Sequence, residues 1–214
     1  MAIIHRADIR PTKLELIRDW LPSQSWYTGE ARPPLAAVGA YRFDDPHGKV
    51  GIETLLVRAD DGRLLQVPLT YRDAPLPGGQ TWLIATMEHS VLGQRWVYDA
   101  CGDPVYATAL AATILGGGTQ AEELVEIDGR WEPRTPTASV TGGGSPGKGI
   151  PVVAGVEELT CSDDDVQTVV NAGGLELRVR RVVDPSVHTA GEHTLTGIWS
   201  GQEQSVLLAT AQRT

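Results

Sequence analysis

The sequence predicts an α+β fold made of antiparallel sheets with few helices. Short segments in which apolar and polar residues alternate recur along the chain, which is typical of strands with one buried face. Two Asp-Gly pairs, Asp61-Gly62 and Asp128-Gly129, each separate two such segments and suit the tight turns of hairpins. Two segments carry the clearest helix signals. With 214 residues, 41% of them apolar, the chain is long enough for one large domain or two small ones.

The first helix is predicted after Pro11. Thr12-Lys13-Leu14-Glu15 has the pattern of a capping box, in which the first and last side chains each bind the other's backbone amide. Leu14, Ile17 and Leu21 fall on one helical face, and Pro22 ends the run. The helix is therefore expected to be short and amphipathic.

An antiparallel meander is predicted to follow. Its second and third strands are joined through Asp60-Asp61-Gly62, whose Asp-Gly pair favours a hairpin turn. The predicted strands are Ala37 to Phe43, Ile52 to Arg58, Leu64 to Tyr71, Trp82 to Met87 and Trp96 to Asp99.

The second helix is predicted to begin at Asp103-Pro104, a capping carboxylate followed by a proline in the first turn. Its apolar, alanine-rich body runs from Val105 to Leu115, and Gly116-Gly117-Gly118 ends it. Next, Leu124 to Ile127 and Arg130 to Glu132 flank Asp128-Gly129, which favours a hairpin. The alternative there is a short helix capped by Thr119 and Glu122.

The segment Pro133 to Gly149 is rich in Pro, Gly, Ser and Thr and is predicted to be a mobile loop. An acidic turn, Ser162-Asp163-Asp164-Asp165, is predicted beyond it. The strands predicted around that turn and after it are Val152 to Val153, Val166 to Val170, Leu175 to Val183, Thr194 to Trp199 and Ser205 to Thr210.

Composition excludes several classes of partner. The formal net charge of −9 repels a nucleic acid backbone. The chain has no apolar run of spanning length, and its first residues lack a secretory leader, so we expect a cytoplasmic protein that does not enter the membrane. Cys101 and Cys161 have no metal-ligand spacing, and His188 and His193 with Glu192 have no regular spacing either, so no metal site is predicted.

The segment Trp20 to Gly29 reads Trp-Leu-Pro-Ser-Gln-Ser-Trp-Tyr-Thr-Gly and resembles the start of the amino-terminal cap of actinobacterial maltokinases. Gly51 to Val57, Val67 to Arg72 and Trp96 to Pro104 resemble later parts of that cap in the same order. The resemblance implies a cap subdomain over residues 1–100. Residues 101–214 resemble, less closely, an intermediate subdomain like a kinase small lobe, through Val169-Val170 and Leu175 to Arg181.

Departures from the kinase pattern change what the resemblance implies. The acidic turn stands where a phosphate-contacting loop is expected, and Arg178 stands where a lysine reaches nucleotide phosphates. Gly142 to Gly149 nearly spells a phosphate-binding loop, but it lacks the Ser or Thr that holds magnesium. No catalytic loop of a large lobe is found in the 214 residues. We therefore expect no catalytic residue and no cofactor, with Arg178 the only nucleotide candidate.

The function expected from this resemblance is a non-catalytic binding or regulatory module in maltose, trehalose or glucan metabolism. The alternatives are the accessory half of a split sugar kinase and a carbohydrate-binding protein. A protein partner, a second copy of the chain, or a sugar or glucan are the expected partners. Patterned segments favour core positions for Trp20, Trp26, Trp82 and Trp96. Trp26, Tyr27 and Trp199 are the candidates for exposed sugar stacking.

Overall fold

The computed structural model describes residues 2–4, 7–127, 129–147, 149 and 152–214. Within these residues the chain forms two α-helices and sixteen strands. The helices are α1 (Lys13–Trp20) and α2 (Pro104–Gly116), and the strands are β1 (Ala2–Ile4), β2 (Ile9–Arg10), β3 (Leu35–Phe43), β4 (Gly51–Ala59), β5 (Leu64–Arg72), β6 (Leu83–His89), β7 (Gly93–Asp99), β8 (Glu123–Ile127), β9 (Arg130–Arg134), β10 (Ala138–Gly142), β11 (Leu159–Asp163), β12 (Gln167–Ala172), β13 (Leu175–Arg180), β14 (Val182–Val183), β15 (Thr194–Trp199) and β16 (Gln202–Arg213).

The strands form three sheets. The first has the order β2-β6-β7-β5-β4-β3, and β14 joins it by pairing with β5. The second has six strands in the order β10-β15-β16-β13-β12-β11, and the third is the small sheet β1-β8-β9. Neighbouring strands are antiparallel except β1 and β8, which are parallel. The prediction of antiparallel sheets with few helices is therefore confirmed.

The central strands β4 and β5 of the first sheet are buried on both faces. Side chains alternate along β4, so Leu55 and Val57 pack with α1 while Ile52 and Leu56 pack with α2 and the six-stranded sheet. The layers are α1, the first sheet, α2 and the six-stranded sheet. This arrangement explains why β4 and β5 are almost entirely buried.

Both predicted helices form at the expected caps. Thr12 Oγ1 accepts from Glu15 N at 3.3 Å, and Glu15 Oε2 accepts from Thr12 N at 2.8 Å. In α2, Asp103 Oδ1 accepts from Val105 N at 3.0 Å, and Gly117 takes the left-handed conformation with φ of 68°. These contacts confirm the capping box and the Asp-Pro start predicted from the sequence.

The predicted hairpin after α2 is also confirmed, since β8 pairs with β9 and no short helix replaces it. Asp128 in its turn lies outside the described residues. The division of the chain at residue 100 stays a prediction.

In the second half, two strands were not predicted and two predicted strands differ from the structure. β10 lies inside the segment predicted to be a loop, because Ala138 and Val140 alternate into the core and pair with β15. Val152-Val153 forms no strand. β11 was missed and includes Ser162 and Asp163, so the acidic turn begins only at Asp164. The strand predicted over Leu175 to Val183 is interrupted at the buried Arg181.

The part of the chain that the structure describes contains no helix long and apolar enough to cross a membrane.

Candidate functional site

The Trp20 to Gly29 motif lies beside a cavity formed by the end of α1, the turn before β6 and the end of β7. After α1 ends at Trp20, a 3-10 turn over Leu21–Ser23 is followed by Gln24, whose amide nitrogen donates to Leu21 O at 2.9 Å. The cavity beside this turn has a volume of about 320 Å3. We call it the junction cleft, and its lining residues are Trp20, Ser23, Gln24, Thr81, Trp82, Leu83 and Asp99.

Two indole rings form the aromatic walls of the junction cleft. Trp20 packs edge to face on Trp26, with ring centroids 5.9 Å apart and planes inclined by 63°. Trp82 packs against Gly102, where an added Cβ would lie 2.0 Å from Trp82 Cγ. Only glycine therefore allows the indole this close to the backbone.

Asp99 is the one carboxylate in the lining of the junction cleft. It is 3% exposed and stands at the end of β7. Its Oδ1 accepts from Cys101 N at 3.2 Å, and its Oδ2 accepts from Arg181 Nη2 at 2.6 Å. Asp99 therefore belongs both to the cleft and to a buried ion pair.

Arg181 joins the two large sheets. It lies between β13 of the six-stranded sheet and β14 of the first sheet, and its carbonyl accepts from Gln66 N at 2.9 Å. Its Nε donates to Thr168 Oγ1 at 2.7 Å, and its guanidinium lies over the ring of Trp26. Burial opposes the charge of Arg181, but Asp99 outweighs that effect and raises the pKa of Arg181.

A second contact across the junction starts from the motif itself. Ser25 Oγ donates to Asp163 Oδ2 at 3.0 Å, and Thr168 Oγ1 donates to Asp163 Oδ1 at 2.6 Å. Together with the contacts of Arg181, these bonds connect five residues. We call them the junction network, which consists of Ser25, Asp163, Thr168, Arg181 and Asp99.

The exposure expected for the three aromatic stacking candidates is wrong. Trp26 is 1% exposed, and Tyr27 and Trp199 are each 7% exposed. Trp26 lies beneath Arg181, Tyr27 lies under the guanidinium of Arg63, and Trp199 is on the inner face of β15. Ligand contact by these three residues is untested.

The cleft residues that sequence reasoning missed include two tryptophans assigned to the core. Trp20 and Trp82 are only partly buried, as is Trp96, so full burial is confirmed for Trp26 alone among those four. Gln24 carried a signal, because it stands in the cap motif itself. Asp99 also stands in a segment that resembles the cap, Trp96 to Pro104, but nothing in the sequence indicated its pairing with Arg181, which is 82 residues away.

Arg178 lies on the solvent face of β13, where its Nε donates to Glu176 Oε1 at 2.8 Å. Its role as a nucleotide contact is untested. The acidic turn is held by Asp164, whose Oδ1 accepts from Val166 N at 2.9 Å and Gln167 N at 3.0 Å. Turn formation is thus the observed role of that aspartate.

The glycine-rich segment packs as backbone against the end of α2. Gly144 N donates to Ile114 O at 2.9 Å, and a Cβ at Gly142 would lie 1.9 Å from Thr113 O. Lys148, Ile150 and Pro151 of that segment lie outside the described residues. A second cavity, of about 290 Å3, is found nearby, lined by Leu115, Gly144, Glu192, His193 and Arg213.

The two cysteines are poor nucleophiles. Burial raises the pKa of Cys161 to about 12 and that of Cys101 well above its ordinary value. Among the described residues, no group of three His, Cys, Asp or Glu side chains is placed to hold a metal ion.

Comparison with known proteins relates the region that contains the junction cleft to a known domain family. A search of the curated proteins found no match. Residues 20–103 match the family model of the maltokinase N-terminal cap domain. The matched region contains every lining residue of the junction cleft but not Asp163, Thr168 or Arg181. The resemblance predicted from Trp20 to Gly29 is therefore confirmed, and residues 20–103 of this chain are similar to the maltokinase N-terminal cap domain.

Proposed function

We propose that this protein is a non-catalytic binding module that recognises a carbohydrate in the junction cleft and serves maltose, trehalose or glucan metabolism. The observation that carries the proposal is the position of the cap motif. Three of its residues, Trp20, Ser23 and Gln24, line the cleft, and none of the three is fully buried. The similarity of residues 20–103 to a domain of a sugar kinase family supports a sugar as the ligand.

The chemistry of the cleft suits a pyranose ring. Such a ring has an apolar C–H face and a rim of hydroxyl groups, and the cleft offers partly exposed indoles of Trp20 and Trp82 beside the amide of Gln24. Ligand pockets commonly have volumes of roughly 300–1,000 Å3. At about 320 Å3 the junction cleft accommodates one sugar unit of a longer chain or a small saccharide.

Charge favours a neutral sugar over a phosphorylated one. The described lining contains the carboxylate of Asp99 and no Lys or Arg side chain. Asp99 is paired with Arg181, so the lining offers no unpaired cation to bind a phosphate group, whereas the hydroxyl groups of a neutral sugar need none. The ligand class is therefore an unphosphorylated saccharide.

The same residues support binding without turnover. Retaining hydrolysis of a glycosidic bond takes two carboxyl groups about 5 Å apart. The lining presents only Asp99, and that carboxylate is paired with Arg181. Arg178 is bound to Glu176 on the outer face of the six-stranded sheet.

The accessory half of a split sugar kinase is a second candidate. It is favoured by the six-stranded antiparallel sheet with α2 against its inner face, which is the kind of arrangement expected of a kinase small lobe. Nucleotide binding by Arg178 distinguishes this candidate from the first.

Calorimetric titration of the full chain with glucose, maltose, trehalose and glycogen tests the proposal. We expect saturable binding of at least one of them, weakened about tenfold or more by Trp82→Ala, since stacking on an aromatic ring is a principal contact. Gly102→Ala should act in the same direction because it displaces the indole of Trp82. Trp131→Ala is the matched control, since Trp131 is 48% exposed and lies outside the cleft.

Absence of binding heat with all four sugars, together with an unchanged melting temperature in their presence, would contradict the proposed function. Equal binding by wild-type protein and Trp82→Ala would instead place the sugar outside the junction cleft.

A further inference from the structure

We propose that Asp163 is a positioning residue for the junction cleft: it fixes the cap-motif loop with one carboxylate oxygen and the cleft carboxylate Asp99, through Thr168 and Arg181, with the other. This inference rests on the proposed function, because the cleft is the site that it concerns. Asp163 lies in β11, outside the region similar to the maltokinase cap. A later part of the chain would therefore complete a site whose lining belongs to the cap.

The first arm of the network holds the motif loop. Ser25 is bonded to Asp163 Oδ2 and stands between Gln24, which lines the cleft, and Trp26, which is buried. Trp26 in turn supports the ring of Trp20 at a centroid distance of 5.9 Å. Fixing Ser25 thus constrains the residues on both sides of it that shape the cleft.

The second arm of the network links Asp163 to Asp99. The direction of its hydrogen bonds follows from the single hydroxyl proton of Thr168. A threonine hydroxyl has a single proton, and Thr168 donates it to Asp163 Oδ1 at 2.6 Å. The lone pairs of Thr168 Oγ1 are then left to accept from Arg181 Nε at 2.7 Å. Asp163 therefore orients the hydroxyl that orients the guanidinium.

Arg181 depends on this arrangement for its position. Its Nε and Nη2 donate to Thr168 and Asp99, while Nη1 is buried and has no hydrogen-bond partner among the described residues. The bond from Nε to Thr168 and the contact with the ring of Trp26 therefore fix the position from which Nη2 donates to Asp99. Thr168, Arg181 and Asp99 are buried, and a buried network of this kind holds a site rigid when its donors and acceptors match. Asp163 and Ser25, at the outer end of the network, are exposed.

The geometry of the six-stranded sheet places Asp163 and Thr168 together. They are a directly opposed cross-strand pair of β11 and β12, so their separation is fixed by the backbone ladder. Such a pair is a rigid support for the two arms.

The test compares Asp163→Ala with Asp163→Asn and with Asp165→Ala. Asp165 is an exposed residue of the acidic turn that follows β11, so Asp165→Ala makes the same change in net charge without touching the network. The first readout needs no ligand: the exciton couplet of the Trp20 and Trp26 indoles in the far-ultraviolet circular dichroism spectrum. The second is the dissociation constant for maltose.

We expect Asp163→Ala to weaken the couplet and to raise the dissociation constant for maltose about tenfold. Asp163→Asn retains an oxygen acceptor and should recover most of the couplet, while Asp165→Ala should match wild type in both readouts. A full-strength couplet in Asp163→Ala would overturn the inference. If Asp163→Ala fails to fold, the same two readouts are measured on Ser25→Ala, which removes only an exposed hydroxyl. A full-strength couplet in Ser25→Ala would then overturn the inference.

Loss of the couplet in Asp163→Ala would support the positioning role even where wild-type protein binds no maltose. Absence of sugar binding by the wild type counts against the proposed function and leaves the couplet to decide this inference.

Discussion

The guanidinium carbon of Arg181 lies 5.3 Å from the ring centroid of Trp26, and both side chains are fully buried. Trp26 belongs to the cap motif, whereas Arg181 lies between β13 and β14, so this cation–π contact joins the two halves of the chain. Such contacts contribute about 2 kcal/mol or more when desolvated. Asp99 offsets the cost of burying the charge.

Trp26→Ala should lower the free energy of unfolding by about 3–5 kcal/mol, the usual scale for removing a buried large aromatic side chain. The indole is 1% exposed, and its loss also uncovers the guanidinium of Arg181. Chemical denaturation followed by circular dichroism measures the change.

Trp131→Ala, at an exposed tryptophan of β9, is the control and should change the free energy of unfolding by no more than about 0.5 kcal/mol. An unchanged melting temperature for Trp26→Ala would contradict a core position for Trp26.

Acid should destabilise the protein through Glu53. Burial opposes ionisation of this carboxyl, but Arg42 and Lys13 outweigh it and lower the pKa of Glu53 to about 2 from the ordinary 4.5. A carboxyl whose pKa is lower in the folded state stabilises the fold above pH 4.5, and that contribution disappears as the pH falls from 4.5 through 2. The loss amounts to about 3 kcal/mol.

Glu53→Gln tests this origin of the acid sensitivity. The variant should be less stable at neutral pH, because Lys13 and Arg42 lose their buried partner, and its unfolding free energy should vary less between pH 4.5 and 2. Denaturant titrations across that range measure both effects. Glu132→Gln, at an exposed glutamate of β9, should keep the wild-type pH profile; a Glu53→Gln profile as steep as wild type would refute the assignment.

Magnesium ATP should give no saturable binding at millimolar concentration. Arg178 is paired with Glu176, and its sheet also carries the acidic turn at Asp164 and Asp165, so a triphosphate meets several like charges there. Calorimetry with the full chain measures this. Micromolar binding that disappears in Arg178→Ala would favour the split-kinase candidate.

The features predicted well from sequence are those specified by neighbouring residues. Thr12 with Glu15 and Asp103 with Pro104 set the starts of α1 and α2 because helix caps are local. β10 was missed because its Gly, Ser and Thr content is typical of loops, and only pairing with the distant β15 makes it a strand.

The junction cleft could not be predicted in the same way. An alternating segment does not distinguish a partly buried tryptophan such as Trp82 from a core one, and the contact with Gly102 that fixes it is a tertiary contact. The network that holds Asp99 spans residues 25 to 181. Of the site, sequence indicated the motif that contains Trp20 and Gln24 and the cap-like segment that contains Asp99, but not the contacts that bring them together.

The pairing of β14 with β5 constrains how this protein can change during evolution. Val182 and Val183 of β14 pair with Leu65 and Leu64 of β5, which lies within the region similar to the cap domain. Gln66 N of the same strand donates to Arg181 O. A recombination event that exchanged residues 20–103 alone would separate a strand from its ladder and a buried arginine from its carboxylate. The cap and the later sheet are therefore expected to evolve as one unit, with Asp99 and Arg181 changing together.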